Sequence, residues 1–118
     1  MKKGLILVAF LLFYGSIFGQ VIPGNYDKNI KRGKEHLDLE EYHQALPYFL
    51  EAWKVDTTDS KLAFNIATCY FHGKQILSAY PYLDNAKIGV KDPLLTFYYA
   101  RVFHLQQKFE LAISLYRE

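Results

Sequence analysis

The sequence predicts an all-α fold, a solenoid of stacked helical hairpins with about two and three-quarter repeats, preceded by a signal peptide. The first observation is a repeated segment: QALPYFLEA at positions 44–52 returns as SAYPYLDNA at positions 78–86. A looser third copy, LAISLY, follows at positions 111–116 after a similar interval. A period of about 34 residues is typical of helical hairpins that bury their apolar faces by stacking on one another, and such solenoids more often bind partners than catalyse reactions.

The segment 1–19 resembles a secretory signal peptide. Lys2 and Lys3 precede an uncharged run over residues 4–18, and the small residue Gly19 suits the cleavage pocket. The run is shorter than the roughly 20 residues that a membrane-spanning helix needs. We therefore expect cleavage before Gln20, export, and no integral membrane span afterwards; an uncleaved signal anchor is the alternative. Residues 20–25 are expected to form a short tether.

Charge and cysteine content exclude two classes of protein. The predicted signal carries two of the 14 basic residues and none of the 12 acidic ones, so the remainder has no net charge. It also lacks a lysine and arginine stripe, which argues against a nucleic-acid partner. Cys69 is the only cysteine, so an internal disulfide is impossible and apolar packing must hold the fold together.

Apolar spacing and helix-end signals predict six helices in residues 26–118, arranged as repeats 26–59, 60–92 and 93–118, the last incomplete. The helices are expected at about 26–39, 42–55, 60–72, 76–88 and 93–105, with a sixth from about 109 onward. The sixth is still apolar where the sequence ends, so we expect a longer protein, with an unusually short natural terminus as the alternative.

Several residues are expected to mark helix ends. Thr58 or Asp59 can cap the third helix, and Asp92 followed by Pro93 is a strong start signal for the fifth. Gly73 and Gly89 are expected to end helices in the left-handed conformation. The two internal prolines, at positions 47 and 81, are expected in or near the first turn of their helices, where a missing amide hydrogen costs little.

Aligning the copies produces four columns of similar residues, and this pattern resembles the tetratricopeptide repeat. The columns are Gly33, Ala67 and Ala100; Ala45, Ala79 and Ala112; Phe49, Leu83 and Tyr116; and Ala52 and Ala86. Two positions depart from the family pattern, because Thr57 replaces the usual closing proline and His36 stands where a tyrosine is common. The resemblance covers roughly residues 26–118.

A closer resemblance rests on the combination of the signal ending FG before Gln20, the segment ALPYF, and YYARVFHL at residues 98–105. It is similar to the amino-terminal repeats of exported Bacteroidota proteins that continue into a WD40-like propeller and an OmpA-like domain. The resemblance implies a periplasmic or outer-membrane-associated role, with a protein or peptide partner in the envelope. It also implies peptidoglycan association through a domain that this sequence does not contain.

The tetratricopeptide resemblance implies that the first helix of each hairpin lines a concave ligand-binding face. By column, the candidate ligand-binding residues are Lys34, Lys61, Phe64, Asn65, Thr68, Phe71, His72, Phe97, Tyr98, Arg101 and His104. The aromatic side chains could hold apolar groups of a peptide while Asn65 and Arg101 bond its backbone or carboxylate. The alternative is that the aromatic residues only pack neighbouring repeats together, which would make the chain a structural spacer.

Enzymatic function has little support in the sequence. Cys69 and His72 are three positions apart, on one helix face, but two ligands do not make a zinc site. A buried thiol and a groove histidine are the favoured interpretation, with a metal-dependent enzyme as an unlikely alternative. We therefore expect no catalytic residues, no metal and no cofactor.

Overall fold

The computed structural model describes residues 21–117, so the predicted signal peptide at residues 1–19 lies outside the described residues. All regular secondary structure in the described part is helical and none of it is a strand, which confirms the all-α prediction. Its elements are α1 (Tyr26–Asp38), α2 (Tyr42–Val55), α3 (Ser60–His72), a 3₁₀ helix (Ile76–Ala79) that leads into α4 (Tyr80–Ala86), and α5 (Pro93–Arg117). None of these helices is both long enough and apolar enough to cross a membrane.

The first four α-helices form two hairpins, and the two hairpin turns have the same backbone conformation. The turn from α1 to α2 places Glu40 in the left-handed region, with φ 59°, and the turn after α3 places Lys74 there, with φ 62°. In the first turn the Glu41 amide donates to the His36 carbonyl at 2.9 Å. In the second, one repeat period later, the Gln75 amide donates to the Tyr70 carbonyl at 2.9 Å. The repeat read from the sequence is therefore repeated in the backbone of these two hairpins.

The predicted left-handed conformation at Gly73 and Gly89 is wrong. Gly73 does follow α3, but its φ is −80°, and the left-handed residue is the next one, Lys74. Gly89 also lacks a positive φ; a Cβ built on it would lie 3.0 Å from the hydroxyl of Ser60. Gly89 therefore permits a close approach to the start of α3. This role depends on the neighbouring helix, so the sequence around Gly89 does not predict it.

Within each hairpin, a small residue of the first helix meets a large residue of the second. A Cβ built on Gly33 would lie 2.5 Å from the Phe49 ring, so α1 and α2 come closer at this point than any side chain on position 33 would allow. In the second hairpin Ala67 and Leu83 belong to one fully buried cluster. Both pairs lie in the columns that the sequence alignment identified.

A second pair of columns makes a ring contact in both hairpins. His36 stacks on Tyr48 with ring centroids 5.6 Å apart, and Tyr70 packs against Tyr82 at 5.7 Å. Each pair joins the end of the first helix to the middle of the second. The two hairpins therefore share their packing as well as their turns.

Pro81 lies in the first turn of its helix, as predicted, whereas Pro47 does not. Pro47 is the sixth residue of α2, beyond the first turn, so the His43 carbonyl lacks its helical donor. His43 and Pro47 are both exposed, and water can satisfy that carbonyl. Pro81 is the second residue of α4, and the turn before it is a 3₁₀ helix. The predicted helix at 76–88 is thus split, because a proline cannot continue the regular hydrogen bonding of the turn before it.

The predicted fifth and sixth helices are a single helix, α5, so the expected hairpin turn between residues 105 and 109 is wrong. The connecting residues Gln106, Gln107 and Lys108 all have high helix propensity, and neither glycine nor proline interrupts them. Only the first half of α5 packs on the hairpins, through the buried side chains of Leu95 and Val102 among others. Residues 109–117 continue past this core with most of their side chains exposed.

Two contacts fasten the amino-terminal end of the described chain. The buried side-chain amide of Asn29 donates to the Ile22 carbonyl at 2.7 Å and accepts from its amide at 3.2 Å, so the predicted tether is held against α1 at Ile22. Asp59 caps α3 by accepting from the Leu62 amide at 3.0 Å, as predicted, and also accepts a hydrogen bond from the Tyr26 hydroxyl. Burial and this carboxylate raise the pKa of Tyr26 above its usual range.

We predict that Gly33→Ala destabilises the protein. The gain in helix propensity, about 1 kcal/mol, is outweighed by overpacking of about 1–3 kcal/mol because the Phe49 ring is fully buried and cannot move into solvent. The loss should appear in urea unfolding followed by circular dichroism. A second substitution, Phe49→Leu, makes room for the new methyl group. The Gly33→Ala substitution should therefore cost less in the Phe49→Leu protein than in the wild type; an equal cost would contradict the proposed contact.

Candidate partner-binding face

Four aromatic side chains, two from α3 and two from α5, meet between these helices. Phe71 of α3 lies 4.3 Å from Tyr98 of α5 and 5.6 Å from Phe97, measured between ring centroids. Phe64, two turns earlier in α3, stacks on Tyr98 at 5.9 Å. We call the surface formed by Phe64, Phe71, Phe97 and their exposed neighbours on α3 and α5 the α3–α5 face.

The four rings differ in how much of their surface reaches solvent. Phe97 is 51% exposed, Phe64 and Phe71 are half-buried, and Tyr98 is only 1% exposed. Tyr98 therefore forms the buried base on which the other three rings pack. This differs from the prediction that Tyr98 contacts a ligand. Three rings remain available at the surface on a packed base, an arrangement that limits the rotamer freedom lost when a partner binds.

The polar residues beside these rings are mainly basic. On α5, Arg101 and His104 follow Phe97 at spacings of four and seven, which places all three on one side of the helix, and all three are exposed. On α3, Lys61 is exposed and Asn65 is half-buried. Ion pairs in residues 21–117 involve His36, Lys54 and Lys87, so the charges of Lys61 and Arg101 remain available to a partner.

Two of the predicted ligand-binding residues are committed to other contacts. The Thr68 hydroxyl donates to the Phe64 carbonyl of its own helix at 2.9 Å. His72 stacks on Tyr42 of α2 with ring centroids 4.4 Å apart. Sequence reasoning did not identify Tyr42, because the two rings belong to different hairpins and are distant along the chain. Burial raises the pKa of the Tyr42 hydroxyl.

Lys34 is the one predicted site residue on α1, where it is exposed. The predicted set thus includes a group brought together by ring contacts (Phe64, Phe71, Phe97 and Tyr98) and basic and polar residues on the same two helices (Lys61, Asn65, Thr68, Arg101 and His104). His72 makes an edge contact with Phe71 at 5.7 Å while it stacks on Tyr42, and Lys34 lies apart on α1.

The Cys69 and His72 pair does not have the geometry of a metal site. Cys69 is 2% exposed and packed among apolar side chains, and burial raises the pKa of its thiol to about 12. His72 is exposed and faces Tyr42 instead. Across residues 21–117, no group of three or more histidine, cysteine, aspartate or glutamate side chains is arranged to hold a metal ion.

A separate groove of about 450 Å³ runs between the 3₁₀ helix and α5. It is lined by residues 74–78 on one side and by Leu105 and Phe109 on the other. The sequence did not indicate it, because the expected turn at these residues would have directed Phe109 elsewhere.

Comparison with known proteins adds no relative: no family model matches the chain, and no curated protein or solved structure is significantly similar to it. The internal equivalence of the two hairpins remains the basis for treating it as a helical repeat.

We predict that Cys69 is inert in the native protein. A thiol with a pKa near 12 carries about 1000-fold less thiolate near neutral pH than one with its ordinary pKa, and burial also blocks access. A chromogenic disulfide reagent at pH 8 should react with the single thiol only after denaturant is added. Rapid reaction under native conditions, at unchanged helicity, would show that the thiol is accessible and would reopen the metal interpretation.

Proposed function

We propose that this chain is a non-enzymatic scaffold that binds a protein or peptide in the bacterial cell envelope, and that the α3–α5 face is its binding surface. The observation that carries the proposal is Phe97, a half-exposed phenylalanine fixed on a buried aromatic base and followed along the helix by Arg101 and His104. Exposed aromatic rings beside arginine are typical of the residues that dominate binding energy at protein interfaces.

The chemistry of this face suits a peptide with an apolar side chain next to a carboxylate. The rings of Phe71 and Phe97 would cover the apolar group. Each 100 Å² of apolar surface removed from water contributes about 2.5 kcal/mol of favourable free energy, before the costs of association are subtracted. Arg101 presents a planar set of donors that matches a carboxylate in two parallel hydrogen bonds. Lys61, one turn before Phe64 on α3, adds a second positive charge to this face.

The repeat type and cellular location are part of the same proposal. The repeated turn conformation and the repeated columns support a tetratricopeptide-like solenoid with repeats at 26–59 and 60–92, whereas residues 93–117 of the predicted third repeat, 93–118, form one continuous helix. The leader at residues 1–19 supports export to the periplasm or the outer membrane. We further propose, from the resemblance of its sequence segments to exported Bacteroidota proteins, that the chain belongs to a longer OmpA-like protein in which a different domain would contact peptidoglycan.

The main alternative is a spacer in which these aromatic residues only pack the repeats together. Tyr98 and the half-buried Phe71 are compatible with a spacer, whereas the 51% exposure of Phe97 favours a binding surface. A metal-dependent enzyme at Cys69 and His72 is disfavoured by the burial of the thiol.

Binding can be tested with peptides selected from a random phage-displayed library against the wild-type protein. Affinities of the selected peptides, measured by calorimetry, should weaken at least tenfold in the double variant Phe97→Ser with Arg101→Ala, because apolar area and a charged donor are both removed. The matched control is Val55→Ser with Lys54→Ala, which removes another exposed apolar and basic pair at the end of α2.

Two results would contradict this proposal. Equal affinity of all selected peptides for the Phe97 and Arg101 variant would show that they bind elsewhere. Failure to select any peptide, together with normal function of the variant in the source cell, would favour the spacer.

Export can be tested separately by fusing residues 1–25 to a reporter enzyme that is active only outside the cytoplasm. We expect activity, and a mature fusion that begins at Gln20. Replacing Leu11 by Arg should abolish both, because a charge in the apolar run prevents its insertion. An active fusion that retains Met1 would instead indicate an uncleaved signal anchor.

A further inference from the structure

The side of α5 that carries Phe97 continues beyond the ring contacts as a straight row of exposed side chains. Arg101, His104 and Lys108 follow Phe97 after four, seven and eleven residues, so all four lie within about 60° of one another around the helix. Each of them is exposed. We call these four residues the α5 row. It extends for about 16 Å along the helix axis, and it begins with an aromatic ring and ends with an ammonium group.

The positive charges of the α5 row have no carboxylate beside them on their own helix. In α2, by contrast, Lys54 pairs with Glu51, three residues earlier in the chain. At three and four residues on either side of Arg101 and Lys108 there is no acidic residue. The first acidic residue within α5, Glu110, lies on the opposite side of the helix, and the neighbouring helix α3 contains none. The row is therefore a positively charged strip that a negatively charged partner would complement.

We propose that the partner of the α3–α5 face is an acidic helix that lies along the α5 row. Its apolar side chain covers Phe97, and two of its carboxylates face Arg101 and Lys108. This inference rests on the proposed function, because it specifies the partner of the same face. Two permanent positive charges beside one exposed ring match a short acidic segment, whereas nucleic acid is bound by more extensive clusters of basic side chains.

The spacing of the two cations favours a helical partner over an extended one. Arg101 and Lys108 are about 10.5 Å apart along the axis of α5, which is the rise of seven helical residues. Carboxylates seven residues apart on a partner helix lie on one side of it at the same distance, so both cations are faced at once. On one face of an extended segment, side chains recur at about 7 Å and about 13 Å, which does not match the row.

The two ends of the α5 row contribute differently to binding. The Phe97 ring and its neighbour Phe71 remove apolar surface from water, which supplies most of the affinity. Arg101 and Lys108 are exposed, and ion pairs formed at exposed positions are screened by salt and contribute modestly to affinity. Their main effects are to select an acidic partner and to accelerate its association. We therefore expect charge substitutions in the row to change affinity less than loss of the ring.

Designed peptides test this inference. The matched probe is a stapled helix with two glutamates seven residues apart and a leucine four residues outside each glutamate, a pattern that is the same in both chain directions. Its affinity, measured by fluorescence anisotropy at low ionic strength, should exceed by at least threefold that of a stapled probe of equal composition whose glutamates are five residues apart and point to different sides. It should likewise exceed that of an unstapled version with a central proline, which cannot form a continuous helix.

Substitution of Lys108 locates the contact on the protein. Lys108→Gln should weaken binding of the matched probe at least threefold, and the loss should disappear for a probe in which both glutamates are replaced by glutamine, because no charge pair remains to be lost. Glutamine has a helix propensity similar to that of lysine, so α5 should be unchanged by circular dichroism. The matched control is Lys31→Gln, which removes an exposed lysine from α1 and should leave the affinity unchanged.

The remaining outcomes overturn the acidic helix. No measurable binding of the matched probe, equal affinity of the proline-containing or five-spaced probe, or equal effects of Lys108→Gln and Lys31→Gln would each do so. If peptides selected from the random library still depend on Phe97 and Arg101 in any of these cases, only the identity of the partner is wrong and the binding face stands. If the selected peptides are insensitive to Phe97 and Arg101, the proposed function fails as well.

Discussion

The fold depends on how closely two helices can approach within a hairpin, and Gly33 sets this distance in the first one. Its missing side chain leaves room for the Phe49 ring, and the second hairpin fills the same space with the larger Ala67 and the smaller Leu83. Small residues are thus matched by large ones across the contact, which keeps the interior at close-packed density without displacing either backbone. The stacking of repeats, and with it the α3–α5 face, requires hairpins of constant width.

Local signals predicted the parts of the fold that are determined locally. The bounds of α2 and α3 and the capping carboxylates of Asp59 and Asp92 follow from apolar spacing and helix-start chemistry. The backbone conformation of the turns could not be predicted in this way, because their left-handed residues are Glu40 and Lys74, and neither residue type signals that conformation. The continuity of α5 was missed for the opposite reason: the repeat period predicted a turn where the local sequence has no helix breaker.

The candidate site shows the same division. Repeat columns predicted that Phe64, Phe71 and Phe97 would lie on neighbouring first helices, and ring contacts bring them together. Column position could not separate the exposed Phe97 from the buried Tyr98, since adjacent residues on a helix differ by only about 100° and burial depends on where α3 crosses. The stacking of His72 on Tyr42 likewise depends on the angle between two hairpins, which sequence spacing does not define.

The hydrogen bonds of Asp59 affect how the protein unfolds. Helical arrays tend to open one repeat at a time, because each unit contacts only its neighbours. Here a single carboxylate holds the first turn of α3 and also accepts the hydroxyl of Tyr26 at the start of α1. Fraying of α1 therefore removes a partner from the cap of the next hairpin, and loss of that cap releases α1. The first two hairpins are coupled in this way into one cooperative unit, while residues 109–117 can melt independently of them.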